Sequence, residues 1–280
     1  MPRFAMPLSA IVLSCLVAGP AAAAGPAPVL DTIGGRKVES LTIRHPASKE
    51  VIVFEGGSRN TIERWGAVPQ QLAHDATVFA YNRPGYGNSE EAGTSRDGRT
   101  IVEELRAVLR HKELKPPYVL VGHSLGGLYM QLFARAYPDE VKGLVLIDAL
   151  YPRMVKRTED FPFLSRLAGR IAFSRTVWRE IEHIDETGEM VLALGGVDDK
   201  PIVRLINQPT SSTAIAVDFG AFRMDEDTRR QVRALYPKAK TIVADSSHQM
   251  ALTSPEIVTA AVREVMAAPG SQAVVARATR

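Results

Sequence analysis

The segment 122–126, Gly-His-Ser-Leu-Gly, could carry a nucleophilic serine. It follows the apolar run 118–121 and precedes a stretch, 125–137, with the composition of a helix. In the order strand, sharp turn, helix, this G-x-S-x-G spacing exposes the serine hydroxyl above a sheet and aims a backbone N–H at the same point. We therefore predict that Ser124 is a nucleophile, with a glycine-rich structural turn as the alternative.

The composition is that of a globular protein, with 45% hydrophobic and 23% charged residues. A length of 280 residues suffices for one large α/β domain or two small ones. The net charge is +3 and the basic residues are spread along the chain, which disfavours nucleic-acid binding. The sequence has no H-E-x-x-H pattern, no paired Cys or His at ligand spacing and no phosphate-binding loop, so we predict neither a metal nor a cofactor.

The first 24 residues have the pattern of a secretory signal peptide. A positive start is followed by an apolar run at 5–17 and four alanines at 21–24, with cleavage expected near Ala23 or Ala24. The run is shorter than the ~20 residues that span a bilayer, so we predict no stable membrane span after cleavage. Cys15 is the only cysteine, which excludes disulfides and thiol catalysis from the mature chain. We expect a periplasmic or secreted protein whose mature domain is 25–280.

Apolar runs and helical periods alternate along most of the chain. The runs at 51–54, 77–81 and 143–147 are typical of strands buried on both faces. The alternation predicts an α/β fold with a mostly parallel central sheet flanked by helices, and one of those helices is expected over 62–74. Between about 152 and 196 only helical segments appear, which predicts a helical cap or lid insertion over the ligand-binding edge of the sheet.

Taken in order, four motifs resemble those of the α/β-hydrolase superfamily, over about 38–266. Segment 54–57, Phe-Glu-Gly-Gly, resembles the family's strand and His-Gly turn, with Glu55 in place of the usual histidine. Segment 82–89, Asn-Arg-Pro-Gly-Tyr-Gly-Asn-Ser, is similar to a loop that is mainly architectural in the family. Segment 122–127 is similar to the nucleophile elbow, and 247–249, Ser-His-Gln, to the loop of the catalytic histidine.

The resemblance implies a catalytic triad in the chain order serine, acid, histidine. Ser124 is then the nucleophile and His248, which follows a late strand, is the general base. The acid is predicted to be Asp148, at the end of the strand that follows the nucleophile helix. Asp218 and Asp225, on later loops, remain alternatives.

An oxyanion hole needs two backbone N–H donors aimed at the charge that develops on the substrate. The resemblance implies Leu125 as one donor and Gly57 as the other, with Ser58 as the alternative to Gly57. His123 lies inside the elbow and cannot turn back onto its neighbour's hydroxyl, so we predict that it lines the substrate pocket together with Ser58.

These residues predict a serine hydrolase that cleaves a carboxylic ester or a related acyl bond of a small-molecule substrate. Two alternatives within the fold are carbon–carbon bond hydrolysis and cofactor-free perhydrolysis on the same triad. A third, from a different class, is a non-catalytic binding protein on the hydrolase scaffold, which the intact set of triad residues disfavours. The sequence constrains neither the identity of the substrate nor the oligomeric state.

Overall fold

The structure is a computed structural model that describes residues 26–208, 221–223 and 226–269. The predicted signal peptide at 1–24 lies outside these residues, as do the alternative acids Asp218 and Asp225. Within the described ranges, no helix combines the length and the apolar composition needed to cross a membrane.

A mostly parallel sheet of eight strands forms the centre of the described chain. The strands are β1 (Val29–Ile33), β2 (Arg36–Ile43), β3 (Val51–Glu55), β4 (Thr77–Tyr81), β5 (Tyr118–His123), β6 (Val141–Ile147), β7 (Ile202–Asn207) and β8 (Lys240–Ala244). Their order across the sheet is β1-β2-β4-β3-β5-β6-β7-β8. Only the β1–β2 and β2–β4 pairs are antiparallel. The remaining pairs are parallel, so the carboxyl ends of β3 to β8 meet at one edge.

Helices cover both faces of this sheet. They are α1 (Val68–Leu72), α2 (Gly98–His111), α3 (Leu125–Ala136), α4 (Phe163–Ala172), α5 (Arg175–Glu182), α6 (Ile184–Leu192), α7 (Glu226–Leu235), α8 (Met250–Thr253) and α9 (Pro255–Ala267). Alternate residues of a strand point to opposite faces. Leu120 of β5 packs with α2 and α3, whereas Val119 and Val121 pack with α1 and α9. Burial on both faces explains why the central strands are continuous apolar runs.

The single helix predicted over 62–74 is wrong. The chain forms a 3₁₀ turn at Ile62–Trp65, and the separate helix α1 begins only at Val68. Gly66 between them has φ +53, in the left-handed region, where a continuous α-helix cannot pass. Pro69 then lies in the first turn of α1, where its missing N–H costs no hydrogen bond.

The connection from β6 to β7 contains the segment predicted as a cap. It forms three helices, α4, α5 and α6, after a short 3₁₀ turn at Thr158–Asp160. Helix α6 packs against α2 and α3, while α4 packs against α5. The connection starts at the carboxyl end of β6, so these helices arise from the edge where Ser124 also lies.

Candidate active site

Ser124 occupies a strained turn between β5 and α3. Its backbone has φ 52 and ψ −123, an uncommon region for a residue with a side chain. The turn is held by hydrogen bonds from the Ser124 N–H to the Ile147 carbonyl (3.1 Å) and from the Leu150 N–H to the Ser124 carbonyl (2.9 Å). Gly126 is required because a Cβ there would lie 2.2 Å from the carbonyl oxygen of Glu55. The local structure therefore matches the elbow that the sequence predicts.

His248 and Asp148 are hydrogen-bonded to each other at the carboxyl edge of the sheet. Asp148 directly follows β6, and His248 lies in the loop between β8 and α8. The His248 Nδ1 and Asp148 Oδ2 atoms are 2.7 Å apart. Because a carboxylate only accepts hydrogen bonds, Nδ1 carries the proton and Nε2 is left as an acceptor. The second oxygen, Asp148 Oδ1, accepts from the Asn207 N–H at 3.4 Å, which helps to hold the carboxylate in place.

The hydroxyl of Ser124 opens into a cavity that His248 and Asp148 also line. No hydrogen bond joins Ser124 to His248 in the part of the chain that the structure describes. Such bonds are often long in unliganded enzymes and shorten when substrate binds. The structure thus brings the three predicted triad residues to one cavity and places two of them in direct contact.

The cavity has a volume of about 690 Å³ and a largely apolar wall. The sheet edge contributes Ser58, Arg59 and Leu125, and the 152–196 insertion contributes most of the opposite side. The apolar lining side chains from this insertion and from the segment before β8 are Met154, Val155, Phe161, Ala168, Ala172, Phe173, Trp178, Ile181, Ile184, Ala221 and Phe222. Its size is in the range of pockets that enclose small organic ligands.

The backbone around Ser124 can supply N–H donors to an oxyanion. Leu125 is the first residue of α3, and the first N–H groups of a helix have no partner within the helix. The loop after β3 approaches from the other side, since a Cβ on Gly57 would lie only 2.9 Å from the Ser124 Cβ. Ser58 and Leu125 line the cavity, while Gly57 lies directly against the serine.

His123 does not line the cavity, contrary to the prediction. Its side chain is buried, with Asn60 donating to Nδ1 at 2.8 Å and Nε2–H donating to the carbonyl of His248 at 2.7 Å. The two-residue alternation of β5 would have revealed this, because it places His123 on the same face as Val119 and Val121. His123 therefore helps to hold the backbone of His248 in place through this hydrogen bond. Burial, reinforced by the neighbouring His248, lowers the pKa of His123 from 6.5 to about 4.

This lowered pKa predicts a loss of stability in mild acid. Between pH 6.5 and 4 the unfolded chain protonates His123 whereas the native protein does not, so the free energy of unfolding falls as pH falls through that window. The expected loss is about 3 kcal/mol. Urea unfolding at several pH values should show a shallower pH dependence for His123→Gln than for the native chain. The exposed His74→Gln is the control, and equal slopes for all three proteins would contradict the prediction.

Arg83 connects the loop after β3 to the cap. Its guanidinium is 2% exposed and donates to the carbonyl oxygens of Gly56 (2.5 Å) and Gly57 (3.0 Å). It also donates to Glu55 (2.5 Å) and, through two nitrogens at 3.0 Å each, to Glu180 of α5. The role is architectural, as predicted for this loop. Its target, the backbone of Gly56 and Gly57 beside Ser124, could not be deduced from the sequence.

The charges around Arg83 are buried and satisfied by further polar groups. Tyr81 donates its hydroxyl to Glu55 and Tyr86 donates to Glu180, each at 2.7 Å. Burial raises the pKa of Glu55, although Arg83 opposes that shift. Burial disfavours the charged form of Arg83 too, yet Glu180, Tyr86 and Glu55 keep its pKa well above the usual value. Glu55, which stands where the family has a histidine, therefore serves as a partner of Arg83.

The described residues contain no cluster of three or more His, Cys, Asp or Glu side chains arranged to hold a metal ion.

Comparisons with known proteins agree with this architecture. The model of the α/β-hydrolase fold family matches residues 50–180. An uncharacterized Bacillus subtilis protein, YqjL, is 32% identical over 105 residues, which are 38% of this chain and 42% of YqjL. The chain spans less than half the length of the first curated relatives that it matches.

Solved structures extend the similarity to nearly the whole described chain. The epoxide hydrolase CorEH has a TM-score of 0.61 and 16% identity, covering 86% of this chain and 98% of its own. A thioesterase domain from the curacin biosynthetic pathway has a TM-score of 0.60 and 15% identity, covering 85% and 99%. The chain therefore has the α/β-hydrolase fold.

Proposed function

We propose that this protein is a serine hydrolase that cleaves a carboxylic ester or a related acyl bond of a small-molecule substrate. The observation that carries the proposal is the 2.7 Å hydrogen bond between His248 and Asp148 beside the strained turn of Ser124. A nucleophile, a base and an orienting acid at one cavity are the components of acyl transfer. Asp148 is preferred as the acid because of this contact.

The mechanism follows from the protonation of each group. His248 Nε2 takes the proton of the Ser124 hydroxyl as its oxygen attacks the acyl carbon, and Asp148 stabilises the resulting imidazolium. The N–H groups of Leu125 and Gly57 stabilise the oxyanion of the tetrahedral intermediate. His248 then gives its proton to the leaving group, and an acyl–Ser124 ester remains. A water molecule that loses a proton to His248 cleaves this ester and regenerates the serine.

The apolar cavity favours an apolar acyl or alcohol group in the substrate. Most of its lining side chains are aliphatic or aromatic, and the charged members are Arg59 and Asp148, beside the imidazole of His248. Carbon–carbon bond hydrolysis and perhydrolysis use the same triad, so the substrate test below separates them from ester hydrolysis. Residues 1–24 support export to the periplasm or the exterior as part of the proposed function.

The first experiment is labelling of the mature protein with a fluorophosphonate probe, which reacts with activated serines. We expect rapid labelling of the native chain, none for Ser124→Ala, and normal labelling for Ser165→Ala, another serine in the cavity wall. Slow labelling of Asp148→Asn would support Asp148 as the acid. An ester series of increasing acyl length should then identify turnover. Absence of labelling in the folded native chain would reject the hydrolase and favour the binding protein.

A further inference from the structure

Helix α4 of the cap presents its large apolar side chains to solvent. Phe163, Leu164, Leu167 and Ile171 are 68%, 75%, 46% and 78% exposed. The spacing of three and four residues places them on one side of the helix as a continuous stripe. Isolated exposed apolar residues are ordinary on a soluble protein, but four on three turns of one helix form a patch of the kind that marks a binding surface.

The opposite side of α4 is made of small residues and faces the cavity. Ser165, Ala168, Gly169 and Ala172 line it. A Cβ on Gly169 would lie 2.2 Å from the ring of Trp178, so only glycine allows this close approach to α5. In a helix that packs on a core, the large apolar residues face inward. In α4 they face the solvent, and the small residues face inward. Helix α4 separates the apolar cavity from solvent by the thickness of one helix.

The surroundings of the stripe are positively charged. From 161 to 179 the sequence contains four arginines and no Asp or Glu, and over the wider range 153–182 seven Arg or Lys stand against four Asp or Glu. Arg166 and Arg170 lie in α4 beside the stripe, and Arg175 begins α5. Arg170 contacts Glu182 at 3.5 Å, with side chains 66% and 33% exposed, and such a pair holds the guanidinium only weakly.

We propose that α4 binds the surface of a membrane that contains anionic phospholipids. An interfacial helix has an apolar stripe that enters the boundary between headgroups and acyl chains, and Arg or Lys beside it that contact lipid phosphates. The described features of α4 meet both conditions. The charge selects an anionic lipid surface over a neutral one, and the small size of the stripe makes the binding peripheral and reversible.

Docking through α4 also identifies the class of substrate. The cavity would open beside the bilayer, so its substrate is an acyl lipid held in that surface, which reaches Ser124 past the small residues of α4. This statement about the substrate rests on the proposed function, whereas the docking itself does not.

The test is co-sedimentation of the full mature chain with phosphatidylcholine vesicles that contain or lack phosphatidylglycerol. We expect binding to the anionic vesicles that weakens as salt is raised, because exposed charges are screened. The double variant Leu164→Ser, Ile171→Ser should bind on the order of tenfold more weakly or worse. The matched control is Leu30→Ser with Val243→Ser, two residues of β1 and β8 that are 47% and 57% exposed. It should bind like the native chain.

Hydrolysis measurements separate this proposal from the proposed function. The α4 double variant should keep its rate on a soluble short-chain ester and lose activity on an ester carried in anionic vesicles. Vesicle binding without turnover of either ester would reject the hydrolase and leave the docking supported. Native chain that stays in the supernatant with anionic vesicles would overturn the docking. The docking would also be overturned if the native chain did not bind vesicles but self-associated, and the double variant abolished that self-association. The stripe would then bind a second copy of this chain.

Discussion

Alanine at Ser124 or at His248 should each reduce kcat for a soluble ester by on the order of 10⁴- to 10⁶-fold. Without Ser124 no acyl-enzyme forms, and without His248 the serine keeps its proton. Because the two act in the same proton transfer, the double variant should be no slower than the worse single variant. The residual rate would come from substrate binding and from the backbone donors at Leu125 and Gly57.

Steady-state kinetics on the native chain, both single variants and the double variant would measure this effect. Circular dichroism would establish that all four proteins are folded. The control for the histidine is His74→Ala, which removes an exposed imidazole far along the chain from the proposed triad and should leave kcat unchanged. Losses that multiply in the double variant would show that Ser124 and His248 do not work in one step.

The second large effect concerns stability. Arg83→Met should lower the free energy of unfolding by about 3–5 kcal/mol, the range seen when one partner of a buried ion pair is removed. Methionine fills much of the same space but leaves Glu55 and Glu180 without their shared counter-ion, and both carboxylates are at most 1% exposed. Glu180 would keep the hydrogen bond from the Tyr86 hydroxyl, but its remaining cationic partner would be Arg96 at 3.5 Å.

Urea unfolding of Arg83→Met should be compared with that of Arg263→Met. Arg263 makes a 2.8 Å ion pair with Asp75 at the surface, where both side chains are more than a third exposed. Exposed pairs contribute at most about 1 kcal/mol, so this control should change little. Adding Glu55→Gln and Glu180→Gln to Arg83→Met should recover part of the loss, since it removes the orphan charges. Equal destabilisation by Arg83→Met and Arg263→Met would contradict a buried charge network.

The sequence predicts the sheet well because burial of the central strands is visible in their amino-acid composition. Strands β3, β4 and β5 are buried on both faces, so each is a short unbroken apolar run. Edge strand β1 escapes notice because most of its residues are exposed and its pattern resembles a loop. The break at Gly66 escapes notice because the helical period continues on both sides of a single residue.

The site is predictable where it depends on local structure and unpredictable where it depends on distant contacts. The elbow of Ser124 follows from a strand, two glycines and a helix, all within the range Tyr118–Ala136. The choice of acid depends on contacts between distant loops, such as the one that joins Asp148 to His248, 100 positions away. The pairing of Arg83 with Glu180 joins residues 97 positions apart, for which the sequence carries no signal.

The ion pair between Glu180 and Arg83 constrains helix α5 of the cap but not helix α4. Helix α5 carries the Glu180 carboxylate, which has no solvent exposure and binds the guanidinium of Arg83. Arg83 in turn donates to the carbonyl of Gly57, so the position of α5 is coupled to the geometry around Ser124. Helix α4 shares none of these buried charges, although its small residues shape the cavity. Substitutions in α4 can therefore change which molecules enter the cavity and leave the arrangement around Ser124 unchanged. In evolutionary terms, the fold of the proposed hydrolase would separate the choice of substrate from the reaction itself.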